Sequence, residues 1–250
     1  YGGDLRPDGF TEFILNEAAA LKYQNEELNV VVENHLAWPL YLLDKEKIKK
    51  WRANNFEIIK TVNHQPPEDI EISFPRDIPL QPSTPENNYI WARCLTEMRN
   101  LSINASHVRI CAGGKRSNFK GAMPGVLEEI TLSLSKNKPI FLIGGFGGIV
   151  HDVCKLLLGS PIEASLTEKW QLEQNEGYGE LQSYANQFNK KIQYDELMVT
   201  LSSTSIDQLA AISGLSEEDY KQLMTTQFID EVIYLCLKGL KQVKNQYDHN

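Results

Sequence analysis

Three glycine-containing segments carry the residues with the most chemistry to offer. Gly2 and Gly3 precede Asp4 and Arg6. Gly113 and Gly114 precede the basic loop Lys115, Arg116, Ser117, Asn118, Phe119, Lys120. Gly144, Gly145, Phe146, Gly147 and Gly148 close an apolar run. Glycine lets a backbone approach a ligand closely and aim N–H groups at phosphate oxygens. One such pair by itself indicates only a tight turn. Three pairs after strand-like runs, one beside a cationic loop, point to the strand ends at which parallel sheets bind nucleotides. Arg116 and Arg6 could grip a phosphate bidentately, and Lys115 could neutralise it as a point charge. Asp4 suits a ribose hydroxyl or a helix cap, and Tyr1 and Phe146 could stack on a base.

A second constellation lies between the later glycine segments, at Met123–Pro124–Gly125–Val126–Leu127–Glu128–Glu129. Proline is tolerated at a helix start, and carboxylates in a first turn complement the helix dipole. Adjacent acids diverge by about 100° on a helix, which predicts that one of Glu128 and Glu129 faces a pocket while the other is solvated. Gly125 would bring backbone to the ligand, and the pocket-facing glutamate could bind a ribose or assist N-glycosidic chemistry. Glu129 and Arg109 are the catalytic candidates for that alternative. The motifs GxSxG, GxxxxGK[ST] and HExxH are absent, and the histidines are scattered, with His151 closest to a glycine segment. No metal site is expected.

The elements that must position these groups emerge from periodicity. Helices are predicted over Thr11–Leu21, Asp44–Asn54, Asn88–Met98, the stretch after Pro124, and Ile149–Leu158. Strands are predicted over Leu28–Val32, ending at Glu33, Asn34 and His35, then Phe56–Val62, Val108–Ala112 and Pro139–Ile143. Asn63–Asn88 holds six of the 11 prolines and reads as a long surface excursion. Residues 163–174, 179–190, 205–212, 216–225 and 228–243 read as helices, with Leu197–Leu201 ambiguous. The alternation predicts an α/β fold, a Rossmann-like doubly wound, mostly parallel sheet with a mainly helical C-terminal third. Residues 1–160 would form the ligand-binding core, with 161–250 a helical extension packed on it.

The 250 residues, 42% hydrophobic and 23% charged, are ordinary for a globular protein. A net charge of −8 argues against general affinity for nucleic acid or an anionic membrane, but not against a small anionic ligand. Four widely spaced cysteines without a CxxC motif predict free, buried thiols and a cytoplasmic setting. The chain opens YGGDLR without a methionine, as if at the end of a strand, which suggests a domain taken from a longer protein.

YGGDLR, the AGG turn with its loop, G-x-MPGVLEE and IFLIGGFGG together resemble the SLOG group of Rossmann-like domains. That group is related to the cytokinin-activating phosphoribohydrolases and the DNA-processing Rossmann domains. The resemblance covers roughly residues 1–160, and PG-x-x-EE is its most specific part. Enzymatic members carry PGGxGTxxE, whereas here the second glycine and the G-T pair are absent, and Val126 and Leu127 stand in their place. The resemblance therefore implies a sensor of a nucleotide-derived signal, such as cyclic ADP-ribose or an ADP-ribose-like molecule. It implies a homo-oligomer regulating an N-terminal TIR or sirtuin-like NAD-consuming effector in bacterial antiphage defence, with phosphoribohydrolase activity on nucleoside monophosphates as the alternative.

Overall fold

The computed structural model describes residues 10–25, 27, 31–42, 45–72 and 75–248. The chain divides into two compact units, Tyr1–Ser102 and Ile103–Asn250. The C-terminal helices share a unit with the later pair of strands.

In the first unit, α1 (Phe10–Gln24) precedes β1 (Val32–Ala37), α2 (Lys45–Asn54), β2 (Ile59–His64) and the long α3 (Pro85–Ala105), whose last turn belongs to the second unit. β1 and β2 pair in parallel, Val32 opposite Ile59 through Ala37 opposite His64. The first strand thus continues past the end of its β-branched run. Glu33, Asn34 and His35 lie inside the ladder rather than beyond its carboxyl end, because burial of the Leu36–Ala37–Trp38 segment extends the strand. The proline-rich segment is irregular, yet it contributes Ile70 and Leu80 to a core with Trp38, Trp91 and Met98. The Trp91 indole donates to the Leu80 carbonyl, so its backbone is tied down without regular structure.

In the second unit, β3 (Arg109–Ala112) and β4 (Ile140–Ile143) form another parallel pair, separated by α4 (Gly125–Ser135). After β4 come α5 (Gly148–Leu157), α6 (Glu168–Gln174), α7 (Tyr178–Asn186), α8 (Tyr194–Ser203), α9 (Ile206–Ile212), α10 (Glu217–Thr225) and α11 (Ile229–Asp248). The ambiguous Leu197–Leu201 stretch is helical, inside α8. The fold is mixed α/β with parallel strands, Rossmann-like as the alternation predicts. β4 is buried along its whole length. At its outer edge the Ser213 hydroxyl accepts from the Ile140 N–H and donates to the Ile140 carbonyl, which also accepts from the Tyr220 hydroxyl at 2.6 Å. Side chains from the C-terminal helices thereby satisfy edge groups that a further strand would otherwise pair. Gly239 lets α11 approach closely, since a Cβ there would sit 2.5 Å from the Phe141 ring.

All four cysteines are free and buried. Burial pushes the Cys94 and Cys154 thiols up to about 12, so neither is a thiolate nucleophile at neutral pH. Among the described residues, no helix is long and apolar enough to cross a membrane.

Candidate functional site

The turn after β3 is made by two glycines in left-handed conformation, Gly113 at φ +61° and Gly114 at φ +84°. Their carbonyls accept the first amides of α5: Val150 N–H donates to Gly113 O at 3.0 Å and Ile149 N–H to Gly114 O at 3.1 Å. A Cβ on Gly148 would lie 2.4 Å from the Gly113 carbonyl carbon. The two later glycine segments thus meet, as their common position after parallel strands predicts. What joins them is protein backbone, however, and the opening amides of α5 are already used.

Gly144 and Gly145 are equally engaged. A Cβ on Gly144 would lie 2.2 Å from the Met224 carbonyl, and one on Gly145 would lie 1.8 Å from that of Thr226. On that side the close approach is made by the end of α10. Gly147 has open space around it, and Phe146 is half exposed. His151 Nδ1 is 2.9 Å from Gly144 O, so Nδ1 carries the hydrogen of that bond.

The amino end of α4 is placed differently. Pro124 is its N-cap, one residue earlier than a first helical position, and its side chain makes no cap hydrogen bond. Val126 packs against the turn, since a Cβ on Gly114 would lie 2.9 Å from its side chain. The positive end of α4, with Gly125, therefore borders the Gly113–Gly114 turn and the exposed Lys115. Glu128 is only 4% exposed, and Glu129 lies 3.4 Å from the buried Arg109. Neither acid is solvated, contrary to the expectation from their angular separation, because β3 and the surrounding core cover both sides of the helix end.

Arg116 is not held open for a ligand. It forms a bidentate pair with Asp152 of α5, Nε to Oδ2 at 2.6 Å and the second nitrogen to Oδ1 at 2.7 Å. The Ser165 hydroxyl donates to the same carboxylate at 2.5 Å. Burial pushes the Asp152 carboxyl up, but the hydrogen bonds from Arg116 and Ser165 outweigh it and hold the group below its usual range. The rest of the loop is clamped from α6 and α7. Gln171 donates to the Arg116 carbonyl, and the Asn175 side-chain oxygen accepts from the Asn118 N–H at 2.6 Å. The Tyr178 hydroxyl donates to the Ala122 carbonyl at 2.6 Å, with Gln182 reaching the same oxygen. Phe119 stacks edge-on against Tyr178. Lys115 and Lys120 remain exposed on this ordered loop.

These clamp residues carried little sequence signal. Asp152 had one: an acid set among Ile149, Val150, Val153 and Cys154 on a helix has to be buried and paired. Gly2, Gly3, Asp4 and Arg6, with Tyr1, lie outside the described residues, as do Leu28 and Asp44.

The sequence matches the family described as SLOG cluster2 over residues 1–223. The chain belongs to the SLOG family. No curated protein and no solved structure matches it. Within the SLOG chain, the departures from the enzymatic loop have structural places: Leu127 is fully buried in the core and Val126 packs on the glycine turn. α11 lies beyond the matched residues. Among the described residues, no group of three or more His, Cys, Asp or Glu side chains could hold a metal ion.

Proposed function

We propose that this SLOG domain is a receptor for a nucleotide-derived signal, cyclic ADP-ribose or an ADP-ribose-like molecule, regulating a fused or associated NAD-consuming effector in antiphage defence. The observation that carries this reading is the convergence of the uncapped amino end of α4, the Gly113–Gly114 turn and Lys115 on an immobilised loop. A helix amino end beside a lysine suits phosphate, and an ordered loop lowers the entropic cost of binding. The loop favours binding over turnover: Val126 fills the space that a second glycine would leave to a substrate, and the Glu129 carboxylate faces Arg109.

Thermal shift or calorimetry with ADP-ribose, cyclic ADP-ribose, AMP and NAD tests the reading. A true ligand at ~100 times its dissociation constant stabilises the fold by about 2.7 kcal/mol. Lys115→Ala should weaken that ligand about tenfold while leaving the unliganded stability unchanged. No stabilisation by any of the four compounds rejects the proposal. Release of free base from a nucleoside monophosphate, lost in Glu129→Gln, would establish the phosphoribohydrolase instead.

A further inference from the structure

α11 is amphipathic toward its own unit yet apolar on the outside as well. Val232, Leu235, Cys236, Gly239 and Val243 face inward. On an adjoining side Ile229, Ile233 and Leu237 are 63%, 52% and 61% exposed, succeeding one another at four-residue spacing. Leu240 continues the row half-buried, and Phe228 and Tyr234 stand beside it, also exposed. Four-residue spacing places this row along one side of a helix about 30 Å long. A continuous exposed apolar stripe of this kind marks an interaction surface.

The charges flanking the stripe identify its occupant. Asp230 and Lys241 are both exposed, and neither forms an ion pair with another described residue. Two nearby charges of like sign are engaged: Glu231 accepts from Thr226, and Lys238 pairs with Asp219 at 2.6 Å. Asp230 and Lys241 are eleven residues apart, so they lie within about 20° of each other around the helix. They stand on either side of the middle of the apolar row, one toward each end. When two copies of α11 pack antiparallel about a two-fold axis, residues on the same flank face each other across that axis. Asp230 of each copy then meets Lys241 of the other, while Ile229, Ile233, Leu237 and Leu240 close the seam. Parallel packing would instead leave each Asp230 and Lys241 on opposite sides of the seam, without a partner across it.

We infer that the outer face of α11 is a homodimer surface, on which a second copy of this chain docks antiparallel through the Ile229–Leu240 row and two symmetric Asp230–Lys241 pairs. The inference is independent of what the glycine turns bind.

Sedimentation equilibrium of the 250-residue chain tests it, with an expected dimer of Kd about 10 μM, in the weak range for a small interface. Leu237→Asp should leave only monomer. Asp230→Lys and Lys241→Asp should each weaken the dimer about tenfold, since each reversal sets two like charges together twice per dimer. Combined, the two reversals should restore the wild-type Kd within about twofold. These side chains are exposed, so circular dichroism and Tm should be unchanged; should Leu237→Asp misfold, the charge swap still decides. A monomeric wild-type chain, a dimer that survives Leu237→Asp, or a double swap without rescue would overturn the inference.

Discussion

The Arg116–Asp152 pair allows the role of the basic loop to be measured. Asp152 is nearly inaccessible, whereas the Arg116 side chain is 41% exposed, so the two partners should respond unequally to removal. Arg116→Ala strands a buried carboxylate with Ser165 as its remaining donor. That would cost 3–5 kcal/mol at a dry site, and about 3 kcal/mol here because water reaches the arginine side of the pair. Asp152→Asn keeps the Ser165 contact and lets the guanidinium turn to solvent, at about 1 kcal/mol. The double variant should lose about 2.5 kcal/mol, less than the sum of the single losses, giving a coupling of about 1.5 kcal/mol. Urea denaturation of the four proteins, each checked by circular dichroism, measures this cycle. The sign of the pH dependence is fixed by the depressed carboxyl. Its contribution is complete above the ordinary value of 3.8 and is lost as pH falls from there toward the lowered native value. The gap between wild type and Arg116→Ala should therefore narrow in strong acid. Additive losses, or an Arg116→Ala protein of wild-type stability that no longer binds nucleotide, would refute the structural role and return Arg116 to the ligand.

Other perturbations separate space from backbone conformation. Gly148→Ala, which forces a Cβ onto the Gly113 carbonyl, should cost more than about 3 kcal/mol, whereas Gly113→Ala, with open space around it, should cost about 1 kcal/mol of left-handed strain; urea midpoints give both. Tyr178→Phe should lower stability by about 1 kcal/mol and speed amide exchange through residues 119–122, because a buried donor to the Ala122 carbonyl is removed. In the first unit, His35 Nδ1 and His64 Nε2 lie 2.8 Å apart, and burial pushes His35 down to about 4 and lowers His64. The unfolded chain takes up protons near 6.5 while the native pair resists, so stability should fall by about 2–3 kcal/mol between pH ~6.5 and ~4. Tryptophan fluorescence during denaturation would follow this loss, and His35→Gln should flatten the dependence; a flat wild-type profile would contradict it.

Much of the framework was legible because its signals are local. The alternation of apolar runs with helical periods marks β3, α4, β4 and α5, and the two later glycine segments come after β3 and β4, where chain reversal requires them. The carboxyl end of β1 was misplaced because burial of Leu36 to Trp38, a tertiary property, carries the strand past its short β-branched run. The candidate site was legible as a set of residues but not as a division of labour. Whether a glycine faces a ligand or another backbone depends on what stands opposite, and Met224, Thr226 and Gly113 are distant in sequence from the glycines they meet. Arg116 shows the same limit from the side of charge: its type announced an anion, and the fold supplied Asp152 from another helix.

The sequence by itself therefore determined the α/β class, the parallel strands, the free buried thiols and the SLOG membership, all of which rest on periodicity, hydropathy and contiguous motifs. Only the tertiary structure decided which glycines are spent on packing, and how the loop is clamped by α6 and α7. It also left α4 rather than α5 with its amino end available. Those outcomes come from long-range juxtapositions of backbone carbonyls and buried polar side chains, whose energies depend on distance in space rather than on spacing along the chain.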